Sequence, residues 1–324
     1  MKNISLIDLQ LRYEDEREEL LPIIDKVLLS GNLILSDENT KLENEINEYL
    51  GTKYCLTLNS GTDALMIALW ALGIKKGDEV ITTPLTFCST INSILMVGAK
   101  PVLVDINRET LNIDETKIEE KITKKTKALL IPNLIGNLPD WKKIRQIANK
   151  YKLLVIEDSA DTLGATIDKK PSGIYSDISI TSFYGSHIIS CAGNGGMFLT
   201  NNKDFFNKAK VLRSWGRMST LIKDSENINK RLDVKLKGFD YDKKFVFSEA
   251  GYNFEPSELG ASFGLVQLNK FKKFNMLRNR NFKLHCNFFK RMSEQFIVPK
   301  IEKNVKTNFL AYPIILKNNI GFSR

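Results

Sequence analysis

A mainly parallel β-sheet covered by helices on both faces, an α/β fold, is the architecture this chain predicts. Two observations carry it: strand-like and helix-like segments alternate for most of the length, and short connections join them. The amphipathic stretch S-D-E-N-T-K-L-E-N-E-I-N-E-Y-L-G predicts a helix that opens with Ser36 or Asp37 as its cap and stops at Gly51. A short strand over Tyr54–Leu58, a turn, a helix at about 62–72 and Gly73 come next. The pattern continues with strand 79–82, helix 86–97, strand 101–105, helix 114–123, strand 126–131, helix 139–151 and strand 153–156.

The rhythm breaks over 218–247, which is highly charged and lacks clear periodicity. That stretch reads as a long excursion near an active-site mouth or a subunit interface. A long helix with Pro256 near its start then runs to about Phe289. The expected organisation is a large domain over 1–255, with an N-terminal helical segment and the excursion, followed by 256–324, the long helix and the beginning of a smaller domain. The last residues, N-F-L-A-Y-P-I-I-L-K-N-N-I-G-F-S-R, read as the first strand of that smaller domain and the entry to its helix. The small domain is therefore expected to be incomplete, either because the chain is a fragment or because the domain is cut down.

With 324 residues the chain can bury a sizeable core, and 43% hydrophobic with 26% charged residues is an ordinary globular balance. No apolar run approaches the roughly 20 residues of a membrane span, and the first residues carry no secretory pattern. A cytoplasmic protein with no membrane role is the expectation. The formal charge of +9 invites a nucleic-acid partner, but the lysines are interleaved with acids, as in K-I-E-E-K-I-T-K-K-T-K at 117–127. A nucleic-acid binder needs a one-faced basic stripe, so none is expected as partner. Cys55, Cys88, Cys191 and Cys286 share no close spacing, which argues for free thiols and against a metal site or a disulfide framework.

The chemistry concentrates at a few junctions. Asn59-Ser60-Gly61-Thr62 lies between a strand and a helix start, where backbone amides and the helix dipole can face an anion; an ordinary turn is the plainer reading. Phe87 in T-P-L-T-F-C-S-T also sits at a strand-to-helix junction, where a core role is the commoner one. The strand L-L-V-I-E-D delivers Asp158, a carboxylate costly to bury unless it meets a cation, either a bound one or a structural ion-pair partner; neighbouring Glu157 could fill the structural part. His187, in T-S-F-Y-G-S-H-I-I-S-C-A-G-N-G-G-M, is one of two histidines and can move a proton near neutral pH, or serve as a buried structural residue. His285, on the polar side of the late helix, is given no role.

Together these segments resemble the DegT/DnrJ/EryC1/StrS sugar aminotransferase family, within the pyridoxal-phosphate transferase fold of the aspartate aminotransferase type. The resemblance covers essentially the whole chain, although the family pattern is longer. Members carry Ser-Phe-x-x-x-Lys before a Gly-Glu-Gly-Gly turn, and the lysine holds the cofactor covalently. The equivalent position here is His187, its register set by Ser182-Phe183-Tyr184 and by Gly193-Asn194-Gly195-Gly196. The turn differs by Asn194 in place of Glu and by an extra residue, Ala192.

The resemblance implies that Gly61, Thr62 and Ser182 hold the cofactor phosphate, Phe87 stacks on its ring and Asp158 pairs with the pyridine nitrogen. Asp161 falls near the ring hydroxyl, where many members have Gln, and an acid there is similar to the family's histidine-bearing dehydratase branch. Asn253, in Gly-Tyr-Asn, implies a contact to the phosphate of a second subunit, hence a homodimer with shared sites. Arg213 and Arg217 are candidate contacts for a nucleotide diphosphate. The 218–250 region is also similar to the iron–sulfur branch that dehydrates CDP-4-keto-6-deoxyglucose, but no cysteine lies between 192 and 285, so no cluster is expected. The implied activity is 3-dehydration of a nucleotide-linked 4-keto-6-deoxyhexose, similar to that of the branch acting on GDP-4-keto-6-deoxymannose, in deoxysugar or lipopolysaccharide O-antigen biosynthesis. It implies pyridoxal or pyridoxamine 5'-phosphate held non-covalently, with His187 and Asp158 catalytic and glutamate as amino donor. A sugar aminotransferase using a lysine from elsewhere, and an inactive binding or regulatory relative, are the alternatives.

Overall fold

The structure, a computed structural model, describes residues 8–222, 227–232, 234–236 and 238–317. Seven strands form the central sheet: β1 (Tyr54–Leu58), β2 (Glu79–Thr82), β3 (Lys100–Leu103), β4 (Thr126–Pro132), β5 (Leu154–Asp158), β6 (Ile178–Ser182) and β7 (Gly196–Thr200). Their order is β1-β7-β6-β5-β4-β2-β3. Strands β3, β2, β4, β5 and β6 run parallel, while β7 pairs antiparallel with both β6 and β1. The expected mainly parallel sheet is therefore present, with one reversed strand inserted next to its edge.

Each strand divides its residues between two apolar layers, as a period of two requires. Ala128, Leu130, Ile156, Ile178, Ile180 and Phe198 face one core with the helix at Gly61–Ala71. Leu129, Ile131 and Val155 face the other, where Trp141 and Ile144 of the helix at Trp141–Tyr151 fill the layer. Burial on both sides explains why these strands read as continuous hydrophobic runs. A third cluster joins Leu42 and Ile46 to Met197, Leu199, Ala261 and Leu265, so the helices Asp37–Leu50 and Glu258–Phe289 cover the sheet beside β7.

Three local expectations are corrected. Residues 114–123 form two short 3₁₀ turns, Glu115–Lys117 and Glu119–Lys121, because Ile118 and Ile122 alone cannot anchor a helix against its nucleation cost. Ser36 occupies the cap position of helix Asp37–Leu50, yet its side chain makes no capping bond. The buried Glu258 carboxylate does that work, accepting from the N–H groups of Ser36 (2.6 Å), Glu38 (2.7 Å) and Asn39 (3.3 Å). The third correction concerns the chain after Asn304. Within 308–317 the strand is confined to Ile315–Leu316, which pairs with Phe296–Ile297, while Val305–Lys306 just before it pairs with Thr166–Ile167. The rest of the expected small domain, 318–324, lies outside the described residues, as do 223–226, 233 and 237 of the charged excursion. Within that excursion a hairpin joins Val234–Leu236 to Phe239–Tyr241. At the other end of the chain, a helix at Leu9–Ser30 is capped by Asp8 and stopped by Gly31.

Candidate active site

In a parallel sheet the carboxyl ends of the strands open a crevice for a ligand. Asp158 closes β5, Ser182 closes β6, Gly61 follows β1 and Phe87 follows β2, so four expected residues converge on one edge of the sheet.

The alternation along β5 sends the two acids to opposite sides. Glu157 is buried under the sheet and accepts from Asn133 Nδ2 (2.8 Å), Ser159 Oγ (2.7 Å), Ser172 Oγ (2.6 Å) and Ser179 Oγ (3.4 Å). It fills the structural part. Asp158 is also buried, with two donors: Thr90 Oγ at 3.0 Å and the Ala160 N–H at 3.1 Å. Among the described residues no cation pairs with it. Burial raises its carboxyl to about 6, and neighbouring Asp161 and Glu157 push in the same direction. A desolvated acid without a cation suits a cationic ligand atom.

Asp161 is held by the Ile135 N–H, which donates to its Oδ2 at 2.9 Å. Ile135 has φ +55° and ψ +19°, a left-handed conformation that is strained for a β-branched residue. The other Asp161 oxygen, Oδ1, lies 3.9 Å from His187 Nε2, an ion-pair distance and longer than a hydrogen bond. His187 follows a turn closed by its own N–H to the Tyr184 carbonyl (2.9 Å), and the two rings meet edge-on at 6.0 Å. Its Nδ1 is buried without a partner. Burial pulls the imidazole below its ordinary range, with Asp161 and the Ser182 backbone pulling the other way, so the pocket favours the neutral ring, the form that can accept a proton.

Opposite Ser182, Gly61 leaves no room for a side chain: a Cβ there would lie 2.7 Å from the serine Cβ and 2.9 Å from its Oγ. Ser60 caps the Gly61–Ala71 helix by accepting the Asp63 N–H (3.1 Å). The preceding Gly61 and Thr62 N–H groups have no acceptor within the helix, and the Thr62 hydroxyl donates to Ser89 Oγ (2.9 Å). The result is a narrow cradle of donors. Phe87 is 75% exposed, which removes it from the core and leaves its ring open at the crevice.

Two expected residues stand apart. The Asn253 side chain is exposed and accepts the nearby Glu255 N–H (3.4 Å), with no hydrogen bond to the cradle among the described residues. Arg213 turns inward: it is 7% exposed and donates to Thr57 O (3.0 Å) and Glu43 (3.5 Å). The expectation of a nucleotide contact is corrected for Arg213, because the guanidinium is spent on the protein interior. Arg217 lies over the Trp215 ring at 5.1 Å and the Phe247 ring at 5.9 Å and is only partly buried.

Sequence reasoning missed Thr90 and Ile135. Thr90 was within reach, three residues beyond Phe87 and so on the same helical face; an isoleucine in a left-handed turn leaves no signal. A cavity of about 420 Å³ beside Ser60, Phe183 and Gly195 touches none of Asp158, Asp161, Ser182 or His187. The convergence of titratable groups marks the chemistry better than this void does, since the crevice is an open edge. Among the described residues no three metal-ligating side chains gather, and no helix is long and apolar enough to cross a membrane.

The sheet order with its single reversed strand, and the acid at the tip of β5, define a protein of the pyridoxal-phosphate-dependent transferase fold. The chain belongs to the DegT/DnrJ/EryC1/StrS aminotransferase family, whose model matches residues 14–324. It is 32% identical to the lipopolysaccharide biosynthesis protein RfbH of Salmonella typhimurium, over 94% of this chain and 72% of that protein. It is also 32% identical to the GDP-perosamine synthase of Caulobacter vibrioides, over 96% of this chain and 76% of the other. Among solved structures it is similar to E. coli GDP-4-keto-6-deoxy-D-mannose-3-dehydratase with bound hydrated PLP. That match has a TM-score of 0.83 and 27% identity, over 98% of this chain and 79% of that one.

Proposed function

We propose that this chain is a pyridoxamine-phosphate-dependent 3-dehydratase of a nucleotide-linked 4-keto-6-deoxyhexose. The observation that carries the reading is His187: a partly buried imidazole, its neutral form favoured by burial, at the position the resemblance gives to the family lysine, in a segment from 181 to 197 that contains no lysine. An imidazole cannot hold the cofactor covalently but can shuttle a proton.

The residues at the crevice fit the cofactor. The Gly61, Thr62 and Ser182 cradle would take its phosphate, Phe87 its ring face, Asp158 its pyridinium nitrogen, and Asp161 its ring hydroxyl side. Asn253 of the partner subunit would complete the phosphate site in a homodimer. Bound there, the cofactor supplies an amine for the C4 ketone of the sugar and a ring that accepts electrons. Asp158 keeps the pyridine nitrogen protonated from within a dry pocket. His187 takes up a proton on its imidazole and returns one to the departing C3 hydroxyl. Arg217, on its aromatic platform, is the candidate contact for the nucleotide diphosphate. Glutamate is the proposed amino donor, and no iron–sulfur cluster takes part. The reaction belongs to deoxysugar and lipopolysaccharide biosynthesis in the cytoplasm.

A second reading, a nucleotide-sugar aminotransferase, draws support from relatives with such names, the GDP-perosamine synthase among them. Incubation with PMP, glutamate and GDP-, CDP- and dTDP-4-keto-6-deoxyhexoses, followed by mass analysis, tests the choice. A product lacking one oxygen is expected. A product with the keto oxygen replaced by an amine would establish the aminotransferase instead.

A further inference from the structure

We infer that Thr90, backed by Thr86, is the positioning residue for Asp158: their two hydroxyls hold the carboxylate as an oriented anion without spending its charge. The inference deepens the proposed function and rests on Asp158 being the partner of the cofactor's pyridine nitrogen.

The helix Cys88–Met96 begins directly after Phe87. Thr86 and Thr90 lie on either side of that start, and their hydroxyls meet at 2.8 Å. Thr90 is 1% exposed, so its hydroxyl is cut off from solvent. A threonine hydroxyl has one proton to give. Beside an ionised Asp158 that proton goes to Oδ2, at 3.0 Å. The Thr90 oxygen is then an acceptor, and the Thr86 hydroxyl donates to it. The chain runs from Thr86 through Thr90 to Asp158, each bond polarising the next. On the other side, Oδ1 accepts the Ala160 N–H at 3.1 Å. One donor on each oxygen fixes the rotation of the carboxylate.

The neutrality of these donors is the point. A lysine or arginine in the same place would neutralise the acid and leave nothing for a cationic ligand atom. Hydroxyls stabilise the anion and leave its charge unpaired. The charged groups that bear on Asp158 are Asp161 and Glu157, and both oppose its ionisation, as burial does. Its neighbours across the flanking strands, Pro132 and Ile180, carry no charge. Thr90 and the Ala160 N–H act the other way and favour the anion. The same helical turn also reaches the cradle, since Ser89 Oγ accepts the Thr62 hydroxyl at 2.9 Å. One turn therefore ties the acid to the cradle and sets their relative placement.

Urea unfolding of the ligand-free protein from about pH 4 to about pH 8 tests this. The titration of Asp158 is read as the difference between chains with and without Asp158→Asn, which share Asp161, Glu157 and His187. In the parent, the stabilising effect of the Asp158 proton is lost as pH rises through about 6. Thr90→Val removes a donor to the anion and should move that loss upward by about half a pH unit or more. Thr90→Ser should restore the parent titration, and Thr86→Val should move it upward by less. Calorimetry with PMP supplies the second readout. Thr90→Val should weaken PMP about threefold or more beside Asp158 and have no such effect in Asp158→Asn. An unmoved titration in Thr90→Val overturns the inference; should that variant fail to fold, an unmoved titration in Thr86→Val does so. Equal losses of PMP affinity in both backgrounds, the mark of a merely structural defect, overturn it as well. PMP affinity indifferent to Asp158→Asn would instead remove Asp158 as the pyridine partner, while the ligand-free titration still decides the role of Thr90.

Discussion

Gly61 and Ser182 touch so closely that a single added carbon on the glycine would overlap the serine side chain, at 2.7 Å from its Cβ. These residues, far apart in sequence, are joined because β1 and β6 both pair with β7 and end level with Gly196. The contact places the open N–H groups at the start of the Gly61–Ala71 helix beside a serine hydroxyl, a combination that recognises a phosphate.

Gly61→Ala should therefore damage binding before folding. Overpacking of this kind costs about 1–3 kcal/mol of stability, and the displaced helix start should weaken PMP binding by at least roughly tenfold, about 1.4 kcal/mol. Calorimetry of PMP binding together with thermal melting checks this. Unchanged affinity in a folded variant would remove the phosphate role from this cradle.

Asp158 predicts an inverse relation between stability and function. Its carboxyl is raised by burial to about 6, above the 3.8 of an ordinary aspartate. The folded, ligand-free protein thus holds the proton more tightly than the unfolded chain. The stabilising effect of that proton is full below about pH 4 and is lost as pH rises through about 6. Asp158→Asn abolishes the penalty and should make the ligand-free protein more stable at pH 7 by about 2–3 kcal/mol. The same change removes the partner of a pyridinium and should reduce turnover by orders of magnitude. Urea unfolding at acid and neutral pH, with and without PMP, separates the two effects. Equal stability of parent and variant at pH 7 would mean that Asp158 already has a cationic partner.

Much of this site was legible because strand exits are legible. A hydrophobic run ending in Asp158, and small residues at Gly61 and Ser182, mark where a parallel sheet opens, whatever packs around it. The misreadings have physical causes. Arg213 and Arg217 look alike in a sequence, but only the fold places Glu43 and the Thr57 carbonyl beside the first of them. Glu258 replaces the expected Ser36 cap from a distant helix, a partnership that local pattern cannot show. The Ile135 turn runs against local preference and is imposed by the chain around Asn308.

His187 is tested by two substitutions that ask different questions. His187→Asn keeps a hydrogen-bonding side chain but cannot accept a proton at neutral pH. Dehydration should fall by about 10²–10⁴-fold with PMP binding retained. In the parent, activity should drop on acidification with a midpoint below the ordinary 6.5, because burial favours the neutral ring; in the variant that limb should vanish. His187→Lys should give a visible absorption band with PLP, and borohydride should fix the cofactor to the new amine. A variant that handles PLP like the parent would show that residue 187 does not occupy the lysine position.

Arg213 and Arg217 separate an interior cation from a surface one. Arg213 is 7% exposed and bonded to Glu43 and the Thr57 carbonyl, so its loss removes the cation beside Glu43 and a side-chain donor to the buried Thr57 carbonyl. Arg213→Met should cost about 3 kcal/mol of stability, the scale for breaking a buried pair from one side. In the fraction that remains folded, KM for the nucleotide sugar should be unchanged. Arg217→Ala should do the reverse. Its guanidinium rests on Trp215 and Phe247, where removal costs little packing. Without that cation to meet the diphosphate, KM should rise about tenfold or more with kcat nearly constant. Melting curves and steady-state kinetics of both variants provide the comparison. A stable Arg213→Met enzyme with a raised KM would return Arg213 to the substrate site, and an unaltered KM in Arg217→Ala would move the nucleotide elsewhere.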